Sequence, residues 1–334
     1  MSKKPNTVTW KAIIAKYQKQ SVARGIWQIV NTLVPYAGLW VMMYYAMNVS
    51  YWLLLPLILL AGGFLVRVFI IFHDCGHGSF FKSQKANHTL GSILGVLEFT
   101  PYFQWRWEHG VHHSTSGNLD RRGIGDVWIM TVKEYLESSR WKKIAYRFIR
   151  NPIVLFGFGP LGLFFIKHRF STPKSPPRER RSVFWTNIGV LSMAVAMSYV
   201  FGWQAYLIIQ ASVMLVAGSL GIWLFYVQHQ FEGVYWERSE NWDYLTAALE
   251  GSSFYRLPRV LQWFSGNIGF HHIHHLGPRI PNYNLEKCHQ SEEIFQKVPQ
   301  ITLWDSLKAV NYRLYDEENQ RFVGLGSLRL LRAA

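Results

Sequence analysis

Cysteine is almost missing from this 334-residue chain. Cys75 and Cys288 are the only two, too few for a disulfide framework and no basis for a cysteine-built zinc site. Both read as reduced, intracellular thiols. Acid is also scarce, with 20 Asp and Glu against 35 Lys and Arg, a formal charge of +15. That excess carries no recognisable nucleic-acid module, so no nucleic-acid partner is expected, and attraction to an anionic inner leaflet is the simpler account. Internal repeats and low-complexity segments are absent. The polar, basic start (Met1 to Gly25) lacks a small-residue cleavage site before the first apolar run, so no cleaved signal peptide is expected.

Long apolar runs are what the chain does have. Ile26–Val49 and Tyr51–Phe72 are each long enough for a ~30 Å hydrocarbon core at ~1.5 Å per residue, and only a tight turn separates them. Val183–Phe201 and Trp203–Val227 form a second hairpin, turning at Gly202. The expected fold is therefore an all-α membrane protein, a single domain over 1–334. It divides into an arm (1–25, with an interfacial helix near Trp10–Tyr17), a first hairpin (26–72), a polar region (73–182), a second hairpin (183–227) and a polar region (228–334) expected to be helical. Thr89–Trp107 and Ile153–Ile166 are apolar but short, and read as interfacial or re-entrant; Lys167–Ser182 reads as a basic loop. Of the 35 Lys and Arg, only Arg67 lies within a hairpin. The positive-inside rule then places both termini and both polar regions in the cytoplasm, as a helical cap.

Eight of the thirteen histidines fall into three short patterns: His73-Asp-Cys-Gly-His77, His109-x-x-His112-His113 and His271-x-x-His274-His275. Residues i and i+4 share a helix face, so each pair at that spacing can hold one ion. Imidazole suits several metals and does not choose among them. With His229, just past the fourth span, there are enough donors for two metals with open positions. Nearly all-histidine ligation of two irons suits oxygen activation, whereas carboxylate-bridged di-iron bundles use paired Glu-x-x-His sets, not evident here.

These patterns resemble the three histidine boxes of the integral-membrane fatty acid desaturases. The similarity covers most of the chain: two hairpins, box order, and the flanks Gly78-Ser-Phe, Trp105-Arg-x-x-His109 and Ile280-Pro-Asn-Tyr283. It is greatest to the bacterial acyl-lipid desaturases, which act on phospholipid chains in the cell membrane. The resemblance implies insertion of a cis double bond into a lipid-linked acyl chain, two non-haem irons, O2 as co-substrate, and two electrons from a separate carrier such as ferredoxin. It implies as ligands His73, His77, His109, His112, His113, His271, His274 and His275, with His229 as the ninth. His272 is out of register, and with Asp74 is expected to support ligands from behind.

Other residues stay open at this stage. Trp105, Trp107 and Phe103 either line an acyl tunnel or anchor the membrane interface. Arg67 is expected to snorkel to headgroups rather than pair with a buried acid. His88, His168 and His289 read as ordinary surface or satisfied residues. Glu232 and Asn267 have no assignable role. A hydroxylase or alkane monooxygenase would use the same boxes. A metal or ion transporter would need polar ligands near the midplane of its spans, where almost none exist.

Overall fold

The computed structural model describes residues 7–172 and 175–327. Residues 1–6 of the expected arm, Pro173 and Lys174 of the basic loop, and the tail from residue 328 lie outside the described residues. Among the described residues, four helical stretches are long and apolar enough to cross a membrane: Val22–Met47, Tyr51–His77, Pro177–Phe201 and Trp203–Val227.

After α1 (Thr7–Ala15), α2 (Val22–Met47) opens at Ser21, whose side chain accepts the Arg24 N–H. A tight turn leads to α3 (Leu54–His77). The sequence reading stops this span at Phe72, but the helix runs on to Gly78, whose φ of 67° closes it in the left-handed conformation that glycine adopts without strain. The first histidine pair therefore stands on the last turn of a membrane helix.

The Thr89–Trp107 patch falls in a hairpin of two helices, α4 (Gln84–Leu97) and α5 (Tyr102–Thr115). Phe99 turns with φ of 52° and Pro101 bars a continuous helix, so the tip falls at Glu98–Pro101. Short α6 (Val132–Glu137) and α7 (Arg140–Ile149) follow. Ile153–Ile166 forms wide π-helical turns around α8 (Gly159–Leu161), bent 61° from α7.

The expected basic loop is shorter than proposed. α9 (Pro177–Phe201) starts six residues before Val183, because proline at the first helical position needs no N–H partner. α10 (Trp203–Val227) then returns alongside α3, where Gly62 lies so close to Val216 that a Cβ would come within 2.5 Å. The apolar core between the spans includes Trp40, Leu65, Phe72 and Met214.

Beyond α10 the chain forms the rest of the cap: α11 (Tyr244–Leu249), α12 (Arg259–Phe264), α13 (His271–Leu276) and α14 (Leu285–Ser291). Short strands join them, where helices alone were expected. Phe254–Arg256 pairs in parallel with Gln300–Thr302, and Leu314–Asp316 lies between Met130–Thr131 and Arg321–Val323.

Two expectations fail. α1 does not lie free in the interface: Trp10 and Ile14 are buried in a cluster with Phe270, Ile273 and Leu276 around the third histidine pattern. Arg67 neither snorkels nor meets an acid. It is 6% exposed, donates Nε to Thr32 Oγ1 (3.1 Å) and Nη1 to the Trp263 carbonyl, and stacks 3.9 Å from the Trp263 ring. A backbone carbonyl and an indole face, both supplied from the cap, substitute for water around this cation.

Candidate metal centre

Four short segments bring the histidines together. The last turn of α3 carries His73 and His77 on one face, and α5 carries His109, His112 and His113. His229 follows the Gln228 cap of α10, and α13 presents His271, His274 and His275. Asn267, in a left-handed turn (φ 62°), donates Nδ2 to the Asn282 carbonyl (3.1 Å) and fixes the approach to α13. Glu232 touches none of these histidines; it lines a separate small hollow with Lys308 and Tyr312.

The donors form two groups. Nitrogens of His73, His77, His109, His113 and His274 lie within 4.8 Å of one another, as do those of His112, His229 and His275. Nε2 of His274 is 3.1 Å from that of His73 and 2.9 Å from that of His113, which faces His109 Nε2 at 3.1 Å (His113 lies on α5 with His109). In the second group His229 Nε2 is 3.2 Å from His112 Nε2 and 2.9 Å from His271 Nε2, so His271 adjoins it as a fourth member.

Protein hydrogen bonds alone explain such contacts poorly. A neutral imidazole has one N–H, so a run of Nε2 atoms facing one another cannot all be satisfied by their own protons. Nε2 of His77 and of His275 are buried with no hydrogen-bond partner among the described residues. Donors around one ion at about 2.1 Å stand about 3 Å apart, the spacing seen here. The residues present therefore fit two cations, one per group, without selecting iron over another metal that imidazole binds. Burial first, then neighbouring imidazoles, holds His109, His113, His229, His271, His274 and His275 well below the ordinary 6.5. They are neutral at physiological pH, as ligation requires.

Groups behind the rings orient them. Asp74 Oδ1 lies 3.4 Å from His73 Nδ1, and Asp74 Oδ2 accepts the Asn282 N–H (2.8 Å) and Nδ2 (2.9 Å). His229 Nδ1 donates to the Gly251 carbonyl (3.2 Å). Asp126 Oδ1 holds His112 Nδ1 at 2.6 Å, a contact the sequence reading missed. Its one signal was an acid in the glycine turn Gly123-Ile-Gly125-Asp126 after the second pattern. His272 points away: its Nε2 lies 3.0 Å from the Phe295 carbonyl and 3.1 Å from His289 Nδ1. His88 meets the Tyr102 hydroxyl (3.2 Å) and His168 meets Thr100 Oγ1 (3.3 Å), both outside the two groups.

A cavity of about 680 Å³ opens beside the centre. His73, His109 and His271 stand in its wall, and Phe69, Trp105, Gly218, Gly221 and Phe225 make it largely apolar. Its α10 wall runs from Met214 to Gln228, about 20 Å of helix. Trp105 lines this slot. Phe103 and Trp107 do not; Phe103 lies under the Arg178 guanidinium at 3.9 Å.

Comparison with known proteins agrees with this arrangement. The profile of the fatty acid desaturase family matches residues 50–304. The chain is 48% identical over 316 residues to a fatty acid desaturase of Bacillus subtilis, covering 95% of this chain and 90% of that protein. It is 28% identical over 250 residues to an sn-1 acyl-lipid omega-3 desaturase (ferredoxin) of Synechocystis, covering 71% and 67%. It is 27% identical over 304 residues to a chloroplastic omega-6 fatty acid desaturase of Spinacia oleracea, covering 86% and 64%. Helices that cross a membrane, histidines gathered at their ends and similarity along nearly the whole length have one common explanation: this chain belongs to the fatty acid desaturase family of oxidoreductases.

Proposed function

We propose that this protein inserts a cis double bond into an acyl chain of a membrane lipid, with O2 reduced to water and two electrons drawn from a separate carrier. Two hydrogens leave adjacent methylenes; with two electrons and two further protons they convert one O2 into two waters. The observation that carries this reading is the junction of an apolar slot with two groups of closely facing histidines, most of them buried.

His73, His77, His109, His113 and His274 would hold one iron, and His112, His229, His271 and His275 the other. Two irons there would supply, with O2, the oxidant that no protein side chain offers for an unactivated C–H bond. The chain's own part is positioning. Phe69, Trp105 and Phe225 confine a methylene run against His73 and His109, which selects the carbons that react. Asp74, Asp126 and the Gly251 carbonyl fix the ring orientations and leave lone pairs turned inward. The slot excludes water, which protects a strong oxidant from side reactions.

The cap, which carries most of the Lys and Arg, belongs on the cytoplasmic side with both ends of the chain, by the positive-inside rule. The Synechocystis relative is named for ferredoxin, and a small iron–sulfur carrier of that kind is the electron donor proposed here. The test is reconstitution: protein purified with iron supplied, placed in lipid vesicles with ferredoxin, its reductase and a nicotinamide reductant. Double bonds should form only with O2 and the carrier present, and metal analysis should find about two irons per chain. Zinc retained in an active enzyme, or a hydroxylated product, would overturn the reading.

A further inference from the structure

Helix α7 turns an apolar stripe outward. Trp141, Ile144 and Phe148 are 79%, 48% and 64% exposed and recur at i, i+3 and i+7, along one face of the helix. The opposite face is fixed to the cap. Buried Tyr146 donates its hydroxyl to the Arg313 carbonyl and packs edge-on to Trp128 at 5.1 Å. Lys143 donates Nζ to the Leu136 carbonyl (2.7 Å), and Arg147 donates Nε to the Tyr135 hydroxyl (2.6 Å). Ile149, the last residue of α7, also walls the acyl slot with Val127 and Trp128.

The far end of α7 stands at the cap-side end of a membrane span. Arg150, which follows it, donates Nη2 to the Tyr226 hydroxyl (3.1 Å), and Tyr226 is the last residue but one of α10. From there the chain descends along α10. The Phe156 ring meets those of Trp223 and Tyr226 at 5.0 and 5.3 Å, and Pro160 lies against Gly218. Exposed Ile153 and Phe158 on this descent carry the lipid-facing surface up to Phe148. Helix α7 does not extend the descent into a span. It is bent 61° from it and holds four Lys and Arg in ten residues, with no acid. Exposed Arg140 and Lys142 stand about 100° to either side of Trp141 around the helix, and neither makes an ion pair among the described residues.

An apolar stripe that runs on from the lipid-facing surface, with unpaired cations on both flanks, matches the edge of a bilayer: hydrocarbon beneath, phosphate at each side. We propose that α7 lies in the plane of the cap-side leaflet and binds its anionic phospholipids. Trp141, Ile144 and Phe148 sink about 5–10 Å into the acyl boundary, and Arg140 and Lys142 pair with headgroup phosphates. An acidic soluble protein would satisfy the two cations but leave unused the continuity of the stripe with the lipid-facing surface. The helix that holds the lipid surface is then the one that walls the slot.

The test uses the full chain in nanodiscs, with an environment-sensitive dye on one new cysteine, Phe148→Cys; Cys75 and Cys288 are buried. Ile144→Cys, on the same stripe, should read the same. The readout needs no turnover and stands apart from the reaction proposed above. A nitroxide on the lipid acyl chain should quench the dye, and aqueous iodide should not. With the nitroxide on phosphatidylglycerol or on phosphatidylcholine in turn, quenching should show a preference for the anionic lipid. Arg140→Gln with Lys142→Gln should lower that preference about fivefold per charge removed, and high salt should erase it. Quenching by iodide but not by nitroxide puts the stripe in water and overturns the proposal. Shielding from both quenchers marks a protein seat, the cap itself or a second copy, and also overturns it. So does a lipid preference unchanged in the double variant; if ferredoxin-dependent turnover then falls, the cations are a seat for the carrier instead.

Discussion

Replacing His229 by alanine should empty the second histidine group, whereas replacing His272 should not. Both are buried and both lie near pattern histidines, but their nitrogens face different partners. His229 Nε2 stands 3.2 Å from His112 and 2.9 Å from His271, and its other nitrogen is tied to the Gly251 carbonyl. Its removal takes one donor from a group whose remaining members are His112, His271 and His275. Changes behind a ligand cost about 10–100-fold, so loss of the ligand itself should exceed about 100-fold in desaturation, with iron falling from about two per chain to about one or fewer. His272 meets Phe295 and His289 instead. Its removal takes one of two imidazole partners from the buried Phe295 carbonyl, His289 being the other, and opens a cavity, about 2–4 kcal/mol of stability together. The assay is iron content and acyl product from the same membrane preparation, with thermal unfolding alongside. Iron lost from His272→Ala, with iron and turnover kept in His229→Ala, would refute the assignment.

Asp126→Asn should weaken metal binding about 10–100-fold, measured by chelator competition, because the 2.6 Å contact to His112 loses its charge; unchanged affinity would remove Asp126 from the site. Gly221→Leu should block the acyl slot: a Cβ at Gly221 meets nothing within 4 Å, so the added side chain fits by filling open space. Turnover should fall at least about tenfold with iron retained, whereas iron loss would point to misfolding instead. Single cysteines at Asn48 and Gly202 should label only from outside the cell, and one at Arg321 only from inside. Labelling at Arg321 from outside would reverse the orientation.

Much of the centre was readable because its signals are local. The i, i+4 pairs and the long apolar runs are properties of neighbouring residues, so helix faces and span lengths follow from spacing alone. What stayed hidden depends on residues distant in sequence. Arg67 looked like a snorkelling cation until Trp263, from the far end of the chain, covered it. Trp10 looked interfacial until the third pattern supplied a hydrophobic seat. Asp126 is one acid in a glycine turn, and only the fold of that turn against α5 gives it a partner. The helix limits at His77 and Pro177 were missed for a different reason. Hydropathy ends a span where polarity begins, whereas the backbone ends a helix where a glycine can reverse or a proline can start. The two groups of histidines also interleave: His112 and His113 are adjacent, yet face different partners, His229 and His274.

The central claim is that this centre removes hydrogen from lipid-borne acyl chains without adding oxygen. Mass spectrometry of total lipids tests it most directly, in a host that cannot make unsaturated chains of its own, expressing either the protein or its His229→Ala variant. The account predicts phospholipid acyl chains that have lost two hydrogens and gained no oxygen, present with the parent protein and absent with the variant. Acyl chains carrying a new hydroxyl, or unsaturated chains made equally by the variant, would contradict it.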